Sequence, residues 1–73
     1  MDRGRTVLRY ARNPTDRWLA MSRIEIRIWN VLHEGPLEAS EIVRRLPGTD
    51  YFEVMDAIHR MARAGDLKPI TDD

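Results

Sequence analysis

The clearest helical signal in the chain begins at Ser22. Ser22 followed by Glu25 has the spacing of a capping box, in which each side chain satisfies a backbone N–H at the start of a helix. Gly35-Pro36 ends the segment. The apolar positions between these signals recur on one helical face, at Ile24, Ile28, Val31 and Leu32. The pattern predicts a first helix in which Ile26 lies nearly opposite the buried face, towards the preceding segment or a partner.

Two further helices are predicted downstream. The second is short and ends at Pro47-Gly48, and its apolar face consists of Ala39, Ile42, Val43 and Leu46. The third opens at Asp50, with Glu53 at cap-like spacing, and ends at Gly65. Its apolar stripe consists of Tyr51, Val54, Met55, Ile58, Met61 and Ala62. Between the first two helices, Leu37 is expected to serve as a single apolar anchor.

Neither end of the chain carries a helical pattern. Residues 1–17 form an arginine-rich arm with a β-prone segment at Thr6–Tyr10. After helix three, Leu67–Ile70 is expected to be extended, and its proline confines it to a sheet edge or coil. We divide the chain into the arm at 1–17, a core at 18–70 and a frayed tail at 71–73. Apolar residues at the start of this core are expected to pack: Trp18, Leu19 and Met21.

Size and composition narrow the class of protein. The chain has 73 residues, enough for one domain with a thin core. It has no cysteine, which fits a reducing compartment and excludes a cysteine-ligated zinc site. It has no long apolar run, so neither a membrane span nor a secretory signal is predicted. We therefore expect a cytoplasmic protein.

Charge is segregated along the chain although the formal net charge is zero. Residues 1–30 carry seven arginines against three acidic residues, a net charge of +4, and residues 31–73 carry five basic against nine acidic residues, a net charge of −4. Eleven of the twelve basic residues are arginine, which favours bidentate and stacked contacts. An arginine bias of this kind is equally typical of a GC-rich genome.

The sequence contains no catalytic motif. It has no phosphate-binding glycine loop, nucleotide fingerprint or metalloprotease motif, and its small interior leaves little room for an active-site cleft. His33 and His59 are far apart and are not expected to bind a metal. Ser22 and Ser40 are expected to start helices rather than act as nucleophiles. We predict no enzyme activity, no cofactor, no metal and no small-molecule substrate.

Several segments together resemble the winged-helix branch of helix-turn-helix regulators. The resemblance covers residues 22–70 and is carried by Ile28–Leu32, Gly35-Pro36-Leu37, Ser40–Leu46 and Val54–Leu67, the last of which ends in Ala64-Gly65-Asp66-Leu67. It implies a mainly α fold with a three-helix helix-turn-helix core, in which helices two and three form the DNA-reading pair and a β-hairpin wing follows helix three. The spacing is more specific for the fold than for the function.

The sequence departs from that family where the wing should be. Eight residues follow Gly65, too few for a two-stranded hairpin. A single strand near Leu67–Ile70 can pair instead with Val7–Tyr10 of the arm. We therefore expect a degenerate winged helix without a full wing, with a minimal two-strand pairing between the arm and the C-terminal segment.

The second departure is electrostatic. The amino-terminal half of helix three, which normally enters the DNA groove, carries Asp50, Glu53 and Asp56. Carboxylates repel phosphates, whereas binding by phosphate neutralisation needs the opposite sign. Arginines and a histidine in the later turns offset this only in part. We therefore favour a polypeptide over a duplex as the partner of this helix.

Two surfaces are candidates for partner contact. On helix three the candidates are Phe52, Asp56, His59, Arg60 and Arg63; in the arm they are Arg3, Arg5, Arg9, Tyr10 and Arg12. Phe52 either packs against helix two or the adjoining turn, or is an exposed aromatic anchor in an interface. The arm can track a phosphate backbone, meet an acidic protein surface or remain a solvated tail. Trp18 and Trp29 are expected in the core, where they can clamp the arm onto helix one.

Three functions remain open. The chain resembles small phage-encoded regulators that bind host RNA polymerase in its size, its lack of cysteine, its arginine arm and its wingless core. The resemblance implies inhibition of initiation or antitermination in the host cytoplasm. The leading hypothesis is therefore a transcription regulator that binds protein, with bacterial RNA polymerase as partner. The alternatives are a DNA-binding winged-helix repressor, with the arginine arm contacting nucleic acid, and a docking or antitoxin-like module of a larger complex.

Overall fold

Three α-helices and a two-strand antiparallel sheet make up the fold. The computed structural model describes the backbone of residues 7–72 and their side chains, apart from those of residues 18 and 72. The strands and helices are β1 (Val7–Arg12), α1 (Arg23–Val31), α2 (Ala39–Arg44), α3 (Tyr51–Ala64) and β2 (Leu67–Asp72), with 3-10 turns at Arg17–Ala20 and Leu32–Glu34. The expected mainly α architecture is too narrow, because both ends of the described chain are strands and the domain is mixed α/β.

Local signals set the start of α1 and both ends of α3 where the sequence predicted them. At α1 the backbone N–H of Ser22 donates to Glu25 Oε1 at 2.7 Å, and Ser22 Oγ accepts from the backbone of Glu25, so the capping box is confirmed. At α3 the Asp50 carboxylate accepts the backbone N–H groups of Phe52 and Glu53 at 3.1 and 3.2 Å. Gly65 ends α3 with φ 87°, a conformation that favours glycine.

The predicted pairing of the arm with the C-terminal segment is confirmed. β1 and β2 are antiparallel, and their register places Tyr10 opposite Pro69. Tyr10 uses both of its backbone groups on the other side, donating to the carbonyl of Leu37 at 2.8 Å and accepting from its N–H at 3.0 Å. Along an antiparallel strand, residues that hydrogen-bond to one neighbour alternate with residues that point away from it. Tyr10 points away from β2, so the residue opposite it need not donate an N–H to β1, and Pro69 fits there. β2 is therefore an edge strand that tolerates its proline.

The core lies between the sheet and the three helices. Ile28, Ile42 and Ile58 are fully buried, one from each helix, and Leu37 is buried between the first two helices as expected. Further buried side chains come from α3 and β2: Val54, Ala57, Met61 and Leu67. Met21 is buried as well, so this part of the expected cluster before α1 is confirmed.

Three apolar side chains differ from the sequence-based expectation. Tyr51 belongs to the predicted apolar stripe of α3 but is half exposed, because it is the first residue of the helix and no element covers it. Ala57, which is not part of the predicted stripe, is fully buried. Leu19 does not pack as predicted and is 79% exposed. The side chain of Trp18 lies outside the described residues.

Candidate functional site: the outer face of helix α3

The residues predicted on helix three share one exposed face. Phe52, Asp56, His59, Arg60 and Arg63 are all exposed. They share a face because successive residues turn by about 100° around a helix, which places these positions away from the buried stripe. We call these five residues the α3 outer face.

An aromatic pair marks the start of this face. Phe52 is 76% exposed, and its ring meets that of Tyr51 edge to face, with centroids 5.4 Å apart and planes at 83°. Edge-to-face contacts of this kind favour a fixed arrangement of two rings. The Asp50 cap holds the backbone of the same turn. Of the two alternatives for Phe52, packing against α2 or the turn is wrong, and the side chain is exposed.

The charges of the α3 outer face are ordered along the helix. Asp56 is paired with Arg60 one turn later, and Arg60 Nε also lies 3.5 Å from Glu25 Oε2 on α1. Within the described chain, His59 and Arg63 make no hydrogen bond or ion pair. Acidic groups therefore lie in the first half of the face and cationic or donor groups in the second half.

In the described part of the arm, two of the predicted contact residues are engaged within the fold. Tyr10 is buried in the core, so the prediction that it meets a partner does not fit its position. Arg12 is half buried; its Nε donates to the carbonyl of Trp29 at 2.9 Å, and its guanidinium lies 4.8 Å from the centre of that ring. Its groups are thus committed to holding β1 on α1. Trp29 is half buried against the core rather than within it, but it clamps this segment as expected. Arg9 also makes contacts of its own.

The remaining arm residues of the candidate set, Arg3 and Arg5, lie outside the described residues. Of the two candidate surfaces, the α3 outer face is the one whose residues are all described and all exposed. Ile26, the other apolar candidate, is exposed on α1 and remains open to a partner.

An ion pair between the half-exposed Arg17 and the buried Asp66 was missed by sequence reasoning. Asp66 is 1% exposed, and the Arg17 guanidinium donates to it from Nε at 3.1 Å and from Nη2 at 3.1 Å. The hydrogen bond to Asp66, followed by the charge of that carboxylate, raises the pKa of Arg17 above its usual value. Asn13 donates from its side chain to the carbonyl of Gly65 at 2.9 Å at the same junction. These groups hold the end of β1 against the end of α3.

Two open clefts flank the α3 outer face. One, of about 340 Å³, lies between β1 and α2 and reaches Met55 and His59; the other, of about 380 Å³, lies between the first turn of α1 and the turn before α3. Among residues 7–72, no three His, Asp or Glu side chains come together as a metal site.

Comparison with models of protein families, with curated proteins and with solved structures gives no match. In the described part of the chain, every helix is too short or too polar to cross a membrane.

Proposed function

We propose that the protein is a small, non-enzymatic transcription regulator that acts by binding another protein, with bacterial RNA polymerase as the partner. The observation that carries the proposal is the exposed Phe52 at the capped start of α3, beside the carboxylates of Glu53 and Asp56. In a helix-turn-helix arrangement this end of the helix would meet DNA, where carboxylates oppose phosphates. Against a protein, the same chemistry supplies an aromatic anchor with a charged rim.

The cost of exposing Phe52 supports a protein partner. An aromatic side chain that remains 76% exposed contributes little to the core of its own domain. In protein interfaces, aromatic side chains that enter a pocket carry a large share of the binding free energy, and surrounding polar contacts exclude water. Phe52 is held on a capped helix, so binding requires little ordering of its backbone.

The direct test is capture of purified polymerase core enzyme by the tagged protein, followed by promoter-dependent and terminator-dependent transcription. We expect stable capture and a change in initiation or termination. Phe52→Ala should reduce capture by about tenfold or more. Leu19→Ala is the matched control, because Leu19 is equally exposed at 79% but lies in the turn before α1, and it should bind as the wild type does. Absence of capture by the wild-type protein would remove the proposal.

A DNA-binding repressor is the alternative, and the second half of the α3 outer face is the observation that favours it. Arg63 is exposed there and has no partner within residues 7–72, and His59 precedes it by one turn. This function predicts a shift of duplex DNA at micromolar protein and a steep fall of affinity with salt. A flat salt response would argue against it.

A further inference from the structure

Four residues of the α3 outer face form a stripe with coiled-coil spacing. Phe52, Asp56, His59 and Arg63 are separated by four, three and four residues, and all four are exposed. This spacing produces one narrow seam along a helix, the arrangement that a facing helix can cover. We call these four residues the α3 seam.

The order of groups in the seam makes it complementary to itself. When two such helices run antiparallel about a twofold axis between residues 57 and 58, residue 56 of each faces residue 59 of the other, and residue 52 faces residue 63. The first pair sets a carboxylate against an imidazole N–H, and the second sets an aromatic ring against a guanidinium. A parallel arrangement would instead place Asp56 against Asp56 and Arg63 against Arg63, which repel.

We propose that a second copy of this chain occupies the α3 seam, forming a symmetric antiparallel pair of α3 helices. In this dimer Asp56 of each copy faces His59 of the other copy, and Phe52 of each copy stacks on Arg63 of the other copy. Symmetric dimers use one patch on both copies, so the patch must be complementary to itself. The seam meets that requirement through its charge order.

The proposed pair of α3 helices is compatible with the ion pairs that Asp56 and Arg60 make within one copy. Asp56 is paired with Arg60 on its own helix, but its side chain is 69% exposed and keeps acceptor positions for a second donor. Arg60 remains anchored to Glu25 at the side of the seam. His59 and Arg63 have no partner to give up within the described chain.

The dimer is weak and reversible, because a stable interface buries about 1,200 Å² or more and a three-turn seam of one aromatic and three polar residues offers less. Such an equilibrium would regulate the proposed function, since each copy covers the face that binds the polymerase. This regulatory consequence rests on the proposed function, whereas the association itself does not.

Sedimentation velocity of the full chain, from micromolar to millimolar protein, tests the association. We expect the sedimentation coefficient to rise from the monomer towards the dimer, and to rise less in high salt because the charged pairs are at the surface. Phe52→Ala should raise the dissociation constant by about tenfold. Leu19→Ala, which removes an equally exposed apolar side chain elsewhere, should leave it unchanged.

Exchange of charges tests the pairing itself. Asp56→Lys removes the carboxylate that accepts from His59, and His59→Asp places two carboxylates opposite each other, so each variant alone should associate more weakly than the wild type. An equimolar mixture restores a lysine–aspartate and a histidine–aspartate pair and should sediment as a dimer. Asp16→Lys, at an exposed position away from α3, controls for net charge. Circular dichroism confirms that each variant keeps its helices.

Three results would overturn the inference: a monomer at millimolar wild-type protein, a dimer unaffected by Phe52→Ala, or a mixture that fails to associate. A monomer that still captures polymerase would overturn the dimer and leave the proposed function standing. A dimer that fails to capture polymerase would overturn the proposed function and leave the dimer standing.

Discussion

The guanidinium of Arg17 donates hydrogen bonds from two of its nitrogens to the buried carboxylate of Asp66, and so joins residues 49 positions apart in the chain. Asp66 is 1% exposed, and its backbone N–H donates to the carbonyl of Met61 at 2.8 Å. A buried carboxylate without a cation is strongly destabilising, because it has lost its water and gained no compensating charge. The pair therefore fixes where β2 departs from α3.

We expect Arg17→Ala to lower the free energy of unfolding, because it leaves the Asp66 carboxylate buried without a counter-charge. Arg17→Lys should be intermediate, since an ammonium cannot make the two-nitrogen contact. The measurement is the urea midpoint of each variant. Arg23→Ala is the control, because Arg23 is exposed and has no partner within residues 7–72. Equal midpoints for Arg17→Ala and Arg23→Ala would contradict the prediction.

The pH dependence of this pair follows from the raised pKa of Arg17. A base whose pKa is higher in the folded state stabilises the fold fully below its unfolded pKa and loses that contribution as the pH rises through the folded value. Both values lie in strong alkali, so the pair should persist from neutral to moderately alkaline pH. The measurement is the difference in urea midpoint between wild type and Arg17→Ala, which should stay constant over that range. A difference that shrinks at moderately alkaline pH would contradict the placement of both pKa values in strong alkali.

Residues 8 and 10 of β1 should respond very differently to truncation. Tyr10 is buried and bonded to Leu37, whereas Leu8 is 40% exposed on the same strand. Truncating a buried aromatic side chain costs about 3 kcal/mol or more, because contacts are lost and a cavity remains. We expect Tyr10→Ala to lose most of the stability of this small domain and Leu8→Ala to lose about 1 kcal/mol or less. Chemical denaturation monitored by circular dichroism distinguishes the two, and similar losses would show that β1 is not anchored through Tyr10.

Short-range signals in the sequence were sufficient for the helices. The capping box at Ser22, the cap at Asp50 and the break at Gly65 each involve residues within a few positions, so spacing alone identified them. Periodicity also placed Phe52 and Arg63 on one face of α3.

Contacts between distant residues could not be predicted in the same way. Arg12 lies 17 positions from Trp29, and Arg17 lies 49 positions from Asp66. Arginines in the first 17 residues look alike in the sequence, and only the fold shows that Arg12 and Arg17 hold the structure. The prediction for Tyr51 is wrong for another reason: helical spacing assigns a residue to a face but does not show whether another element covers that face.

Asp56→Asn separates protein binding from DNA binding at the α3 outer face. The substitution removes one charge from an exposed side chain and weakens a surface ion pair with Arg60, which costs about 0.5 kcal/mol or less, so folding should be preserved. We expect polymerase capture to stay unchanged or weaken, because a protein contact gains nothing from the lost carboxylate. Any residual DNA affinity should increase, since one repulsion towards phosphate is gone.

The measurements for Asp56→Asn are polymerase capture and a DNA mobility shift, run side by side at two salt concentrations. Asp16→Asn, which removes the same charge at an exposed position away from α3, is the control and should alter neither contact through this face. If Asp56→Asn gained strong, salt-sensitive DNA binding to a defined sequence, the repressor would become the better explanation. In that case the acidic start of α3 would be a device that weakens DNA binding rather than part of a surface for protein.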